Sequence, residues 1–493
     1  MREASQRRGA SRGGVVCAVA SLLGIGSVAD AVAQAELPSP LSPTAVEAPK
    51  DPVPEETESA IEDIVMDVDP ADSAMDATGT PDTTAANGDD GVEAATAQEE
   101  VSLLDSAKFT LMQEWAVGMN SPRKTVNNRS SFRVEYERHF LDDFYLRFDT
   151  KLTGFWKNDH RARAEDRDLL FATNTREAFL QFSHGRNSVK LGRQILIWGE
   201  SDAGAITDVI SPRNYSELFF ISLEESRIGQ FMATLDHFGP SGDWSYFYVP
   251  DAQFNQYPEP GTAYYVDAFE GFALRGGDVD KGEYGLRWKR TFGRSDVALM
   301  AASLVDNDFA YRAAGLVEDG RPLLRRTRER FEMLGGTFNF ATNDWIFSGE
   351  LAWKTPKRFA SIDLTPVDKD LLEASFRVER SLGKSGSHSV SLELTNSHVL
   401  DWTSAIAGTP RNSATAVLGW NNTFFNDNFT VNYLAIYSRP YTSLQNLVFT
   451  SYKINDKASL NIDAFYLDVA DDRSALRSFR RDNNVVFRFL YQF

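Results

Sequence analysis

From Phe144 to Trp156 hydrophobic and polar positions alternate. Phe144, Leu146, Phe148, Thr150, Leu152 and Trp156 fall on one side of an extended chain, and Tyr145, Arg147, Asp149, Lys151 and Thr153 on the other, because successive side chains of a strand point to opposite faces. One side is oily and the other charged. The same two-residue period predicts strands over 108–118, 130–140, 143–156, 176–184, 187–198, 228–238, 243–250, 281–291 and 295–306. It continues over 328–340, 344–354, 371–381, 387–396, 412–424, 428–438, 444–454, 458–468 and 483–493, making eighteen. The last stretch, NNVVFRFLYQF, sets Val485, Phe487, Phe489, Tyr491 and Phe493 on one face and Val486, Arg488, Leu490 and Gln492 on the other. A strand so apolar on one side needs lipid or a partner sheet to cover it.

The connections decide between these. Every alternate link is a tight turn: Leu141-Asp142, Gly185-Arg186, Gly239 to Gly242, Phe292 to Arg294, Ala341 to Asn343, Leu382 to Gly386, Phe425 to Asp427 and Asn455 to Lys457. The others are mostly long, with one short exception near Arg439 to Ser443. Short turns on one rim and long loops on the other describe an outer-membrane barrel with both termini on the periplasmic side. Most of the strands are long enough to cross hydrocarbon at a tilt, which takes about 9–11 residues. The reading is therefore all-β: a transmembrane antiparallel up-and-down β-barrel of about eighteen strands at 105–493, whose first strand must pair with its last.

Composition separates the rest of the chain from this body. All aromatic residues follow residue 100. Arg2, Arg7, Arg8 and Arg12, an uncharged run from Gly13 to Ala29 and the small-residue pattern Ala31-Val32-Ala33 read as a secretory signal peptide over 1–33. Cys17 lies in that run, so a mature chain has no cysteine for thiol chemistry, disulfides or metal binding. Of the net charge of −19, residues 36–100 carry −17 and residues 101–493 only −4. An acidic segment rich in Pro, Ala and Thr buries too little apolar surface to fold, so 34–104 is expected to be a disordered periplasmic extension. It acts either as a soluble spacer or, through 36–100, as a docking segment for a periplasmic or inner-membrane transporter component.

Two stretches carry a family resemblance. The terminal alternation of Phe487, Phe489, Tyr491 and Phe493 resembles the signal by which Gram-negative outer-membrane proteins engage the barrel assembly machinery. The stretch GRQILIWGES, with Gly192-Arg193-Gln194 and Trp198-Gly199-Glu200-Ser201, followed by Val209 to Asn214 and Leu223-Glu224-Glu225, resembles a GRQ-x-x-x-WGES signature of an uncharacterised family of outer-membrane barrels. The resemblance implies a porin-like barrel, often encoded beside RND-type exporters. It leaves three functions open: a diffusion or substrate-selective channel for small solutes, the outer-membrane component of an efflux or lipid-trafficking system, and a plugged structural or adhesive barrel.

With lipid outside, the charged faces line the lumen. Arg133, Glu135, Glu137, Arg147, Asp149, Lys151, Arg287, Lys289, Glu373 and Arg377 point inward on this reading, with Glu283, Glu350, Lys354 and Glu379. Their signs nearly balance, so they are either bracing ladders or a selectivity lining. Eighteen strands enclose more width than side chains fill. The constriction is expected from two loops: Gly199 to Arg227, acidic with Glu200, Asp202 and Asp208 beside Arg213, and Asp251 to Asp280, aromatic with Tyr257 and Tyr264. An acidic loop facing an aromatic one suits an amphipathic or sugar-like solute. At Ile195 to Trp198 both faces are apolar, which requires a folded loop on the inner side. Arginines at 161, 163 and 167, at 321, 325, 326 and 328, and at 473, 477, 480 and 481 crowd the long-loop rim, where they either face solvent or contact the phosphates of lipopolysaccharide.

No histidine pair has metal-ligand spacing on a shared strand face, and no phosphate-cradling glycine loop follows a strand. No cofactor, metal, nucleic acid or enzymatic activity is expected. Ser397-His398 with Asp401 is the one cluster that imitates a hydrolase triad, which is judged by geometry and not by proximity in sequence.

Overall fold

A computed structural model describes residues 106–493 except 122, 142, 202, 203, 205, 218–222, 280 and 383–387. The signal peptide, the acidic segment and Asp202 lie outside the described residues.

The chain forms β1 (Ala107–Gly118), β2 (Thr125–Phe140), β3 (Phe144–Trp156), β4 (Leu169–His184), β5 (Asn187–Gln194), β6 (Gln230–Gly239) and β7 (Gly242–Val249). It continues with β8 (Ala273–Val279), β9 (Glu283–Phe292), β10 (Ser295–Val305), β11 (Ala310–Leu316), β12 (Pro322–Arg328), β13 (Arg330–Ala341) and β14 (Trp345–Phe359). The last are β15 (Val367–Leu382), β16 (His388–Val399), β17 (Asn412–Phe424), β18 (Phe429–Arg439), β19 (Ser443–Lys453), β20 (Ala458–Val469) and β21 (Asn484–Gln492). Eighteen of these make one antiparallel sheet closed by pairing of β1 with β21. At the seam Phe109 and Phe493 each donate a backbone N–H to the other's carbonyl at 3.1 Å, and their rings stack at 5.6 Å. Closure leaves no unpaired strand edge to face hydrocarbon.

The eighteen expected strands are all present. Several are longer than the apolar alternation suggests: β2 and β14 continue into polar sequence near the long-loop rim, and β4 starts at Leu169, ahead of the polar Thr173 to Thr175. That extension shortens the connections at 119–124 and 360–366, which the sequence reading left long. The largest shortening is in the predicted 187–198, which ends at Gln194, because Ile195 to Trp198 turn away from the wall. Three further strands, β8, β11 and β12, form a separate sheet in the long loops, with β8 parallel to β12.

Lipid-facing and inward positions separate as the period requires. Phe487, Phe489, Tyr491 and Phe493 are exposed on the outside, and Val486, just before them on the other face, is fully buried within. Gly185 and Gly293 take the left-handed backbone that their tight turns need. The enclosed space is only partly polar. Val417, Leu434, Ile436, Leu447 and Phe465 of the wall pack on Leu476, Phe479 and Tyr264 from loops, and a second apolar cluster joins Trp198, Ile206 and Ile210 to Met232, Phe247 and Met300. Among the described residues no helix is long and apolar enough to cross a membrane.

Candidate functional site

The inward charges of β2 to β4 neutralise one another. Fully buried Asp149 accepts from Nε and Nη2 of Arg133 at 2.7 and 2.6 Å and from Arg176. Arg147 meets Glu137 at 2.9 Å and Glu177 at 3.2 Å. Glu135 meets Lys108 at 3.2 Å and Arg133 at 3.3 Å. Lys151 donates to Glu225, in the short helix Leu223–Ser226 of the loop after β5, at 2.9 Å. Further round the wall Lys354 pairs with Glu373, Arg377 with Glu379 at 2.6 Å, and Lys289 lies 3.8 Å from Asp296. Arg287, half-buried, lies in the field of Glu200 and Glu350.

After Gln194 the chain crosses the lumen. Gln194 is buried and donates to the Met232 carbonyl at 3.0 Å, while Arg193 Nε donates to the Thr175 carbonyl at 2.6 Å, fixing the end of β5. Trp198 then packs edge-to-face on Phe247 at 5.1 Å. The turn beyond it is hung on the far wall, where the Glu350 carboxylate accepts from the backbone N–H of Glu200 and Ser201, from Thr207 N at 3.0 Å and from Thr207 Oγ1 at 2.8 Å. Ser201 Oγ donates to Glu393 of β16. Gly199 leaves room for this anchor, since a Cβ there would lie 2.8 Å from Asp208 Cβ and 3.1 Å from Glu350 Oε1. Arg193, Gln194 and the four residues of the WGES segment thus each have a local task, and together they fold the loop inward.

The loop acids Asp208 and Glu217 are paired with bases. Asp208 is buried between Arg213 and Arg227, the latter at 2.8 Å. Glu217 sits 3.0 Å from Arg129 and 3.2 Å from His160 Nε2. Burial alone would raise the Glu217 carboxyl, but the Arg129 guanidinium and the His160 hydrogen bond together outweigh it and hold the group down to about 2. His160 Nδ1 accepts the Ala263 N–H at 3.2 Å, which assigns the ring proton to Nε2 as a donor to Glu217. A carboxylate inside a desolvated loop needs a partner, and the loop supplies arginines beside its acids.

The two long loops meet through aromatic and backbone contacts. Tyr215 stacks on Tyr257 at 5.6 Å, Gln256 N donates to Arg213 O at 2.9 Å and Tyr215 N to Gln256 O at 2.7 Å. Asp308, between β10 and β11, ties them to a third connection: it accepts from Tyr257 Oη and from Asn255 Nδ2 at 2.9 Å. Asn255 Oδ1 in turn accepts from Arg213 N at 2.7 Å, and Asn307 Nδ2 donates to Val209 O at 2.8 Å. Burial, then the nearby Asp306, raises the Asp308 carboxyl above its ordinary range. Tyr264 is buried elsewhere, its hydroxyl accepting from Asn484 at 3.1 Å.

Two cavities run along the wall from β14 to β18. A cavity of about 210 Å³ lies against the inward loop, bounded by Asp208, Arg213 and Lys354. A second of about 280 Å³ continues toward the long-loop rim, under Phe309, Tyr311, Phe359 and Tyr441. Ser397, Ser413 and Thr415 border both. These hydroxyls escaped the sequence reading, which sought charge; inward Ser and Thr on alternate positions of β16 and β17 were the available signal. The triad-like cluster separates, because Ser397 Oγ donates to Glu373 at 2.7 Å inside while adjacent His398 meets Asn412 on the opposite face.

A family model described as "Protein of unknown function (DUF1302)" matches residues 174–432, more than half of the chain. The chain belongs to that family. The DUF1302 match spans β4 to β18, and so contains the inward loop and the hydroxyl-lined wall. Comparison with curated proteins finds no match. Among solved structures, Acinetobacter baumannii OccAB1 is similar at TM-score 0.47 and 11% identity, covering 78% of this chain and 95% of its own. Pseudomonas aeruginosa OccK2 (OpdF) in complex with glucuronate gives 0.46 and 10%, covering 79% and 97%. Salmonella typhi OmpF in complex with daunomycin gives 0.41 and 11%, covering 78% and 97%. The barrel stands on its own closed strand ladder, independently of these scores.

Proposed function

We propose that this barrel is a substrate-selective outer-membrane channel whose solute path follows the wall from β14 to β18. One observation carries the reading: the loop crossing the lumen is pinned to the far wall by Glu350, and the cavities left beside it are lined by hydroxyls and internally neutralised charges. Such a lining offers hydrogen bonds without the field of a single-sign ring. The aromatic roof at the outer end adds apolar area, which suits a neutral or zwitterionic amphipathic solute over a strongly charged one. The outside of the ring is apolar and the acidic extension belongs on the periplasmic side with the termini and tight turns.

Planar-bilayer conductance and liposome swelling with sugars, fatty acids and organic anions test this. Ser397→Trp and Thr415→Trp should each cut conductance and swelling while the barrel still folds. Equal conductance in wild type and both variants would reject the path. A silent wild type would favour the plugged reading, which the loop-sealed apolar cluster beneath β17 to β21 supports.

A further inference from the structure

The small sheet of β8, β11 and β12 carries charge in a form that neither the lumen nor the strand wall explains. Arg312 of β11 is the register partner of Arg325 of β12, and Arg325 is the register partner of Arg275 of β8. Cross-strand partners project to the same face, so three guanidinium groups stand in one row. At strand spacing the row is roughly 10 Å long. All three residues are exposed. None has a hydrogen bond, ion pair or ring contact among the described residues, whereas their neighbours are engaged. Arg321 pairs with Asp319 at 2.8 Å, Arg326 lies over Phe309 at 4.7 Å, and buried Arg328 donates to the carbonyls of Ala252 and Gln253.

Like charges placed directly opposite on neighbouring strands destabilise a sheet, and this sheet keeps three. Gly277 accommodates the middle one, since a Cβ there would come within 2.7 Å of Arg325 Cγ. The opposite face holds fully buried Leu324 and the strand position of Tyr311, which roofs the outer cavity. The arginine row therefore points away from the solute path, toward the surroundings of the outer rim.

We propose that Arg275, Arg312 and Arg325 form a receptor for a phosphorylated lipid headgroup of the outer leaflet. Three planar forks at this spacing match several phosphate oxygens bidentately, and a polyanion offsets the repulsion that a single carboxylate leaves unbalanced. The proposal rests on the outer-membrane placement but not on transport.

The test uses refolded full-length barrel and native mass spectrometry with a bisphosphorylated glucosamine-disaccharide lipid, its dephosphorylated form, and inorganic pyrophosphate. Wild type should retain the phosphorylated lipid, and R275Q/R312Q/R325Q should lose retention by about tenfold or more. Arg321→Gln, a charge control, should change it little. The all-lysine variant should fall between, having charge without the fork. Folding is checked by heat-modifiable gel mobility, and if the triple variant fails there, Arg325→Gln alone serves. Equal retention of the dephosphorylated lipid, or wild-type retention by the glutamine variant, overturns the proposal. Pyrophosphate competing as well as the lipid overturns the lipid source. Conductance should be the same in all variants, so a failure here leaves the channel reading untouched.

Discussion

The wall of β2 to β4 and the wall of β15 to β18 follow the same alternation yet serve different ends. In the first, long charged side chains reach one another and saturate: Asp149 alone engages Arg133 and Arg176. In the second, short hydroxyls stop near the backbone and leave space beside Ser397, Ser413 and Thr415. Side-chain reach decides which part of a ring is filled and which is passable. The charges that first suggest ion selectivity are mostly braces, and the cavities lie where hydroxyls stand beside neutralised pairs such as Lys354 with Glu373.

The largest effect expected from breaking this contrast is at Asp149. Asp149→Asn removes the buried carboxylate that Arg133 and Arg176 share, so it should cost about 3–5 kcal/mol, read as an earlier midpoint in urea unfolding, while Ser397→Ala stays close to wild type. Glu350→Gln comes next. An amide turns an N–H2 toward the donors of Glu200 and Ser201, losing charge-assisted bonds worth about 1.5–3 kcal/mol each. The loop should then leave the far wall, giving larger and noisier single-channel currents; unchanged currents would show that the anchor does not set the aperture.

The smallest effect concerns Asp308. Its raised carboxyl binds a proton in the folded loops at a pH where an unfolded chain does not, so protonation favours the knot. That contribution is complete below the unfolded value and is lost as pH rises through the folded one. Acidification from neutral should therefore quiet the channel modestly. Asp308→Asn keeps the acceptor oxygen for Tyr257 and Asn255 without the charge, and should be quiet at both pH values. Asp306, Lys357, Tyr257, Tyr311 and Arg328 share its surroundings, so the titration is to be compared with Lys357→Met.

The barrel was legible because a wall with lipid on one side and water or charge on the other writes a two-residue period into every strand. The period fails where that contrast ends. Thr125 to Arg129 and Thr173 to Thr175 continue their strands past the apolar band, and their polar sequence concealed it. Ile195 to Trp198 looked like strand because the segment is apolar throughout, Leu196 and Trp198 packing inside while Ile197 stays exposed. The sheet of β8, β11 and β12 was invisible: its arginines and glycines carry no alternation, and its pairing joins segments from separate connections. The contacts that fold the loop inward were hidden for a different reason. Glu350 and Gly199 are distant in sequence, and only closure of the ring brings them together.

The parallel pairing of β8 with β12 stitches the connection after β7 to the connection after β10. Two ribbons that would otherwise wander separately share one hydrogen-bonded hem, so the entrance on that side is a fixed awning. On the channel reading proposed above, a solute must find a preset opening, and selection begins with the angle of approach before any lumen contact is made.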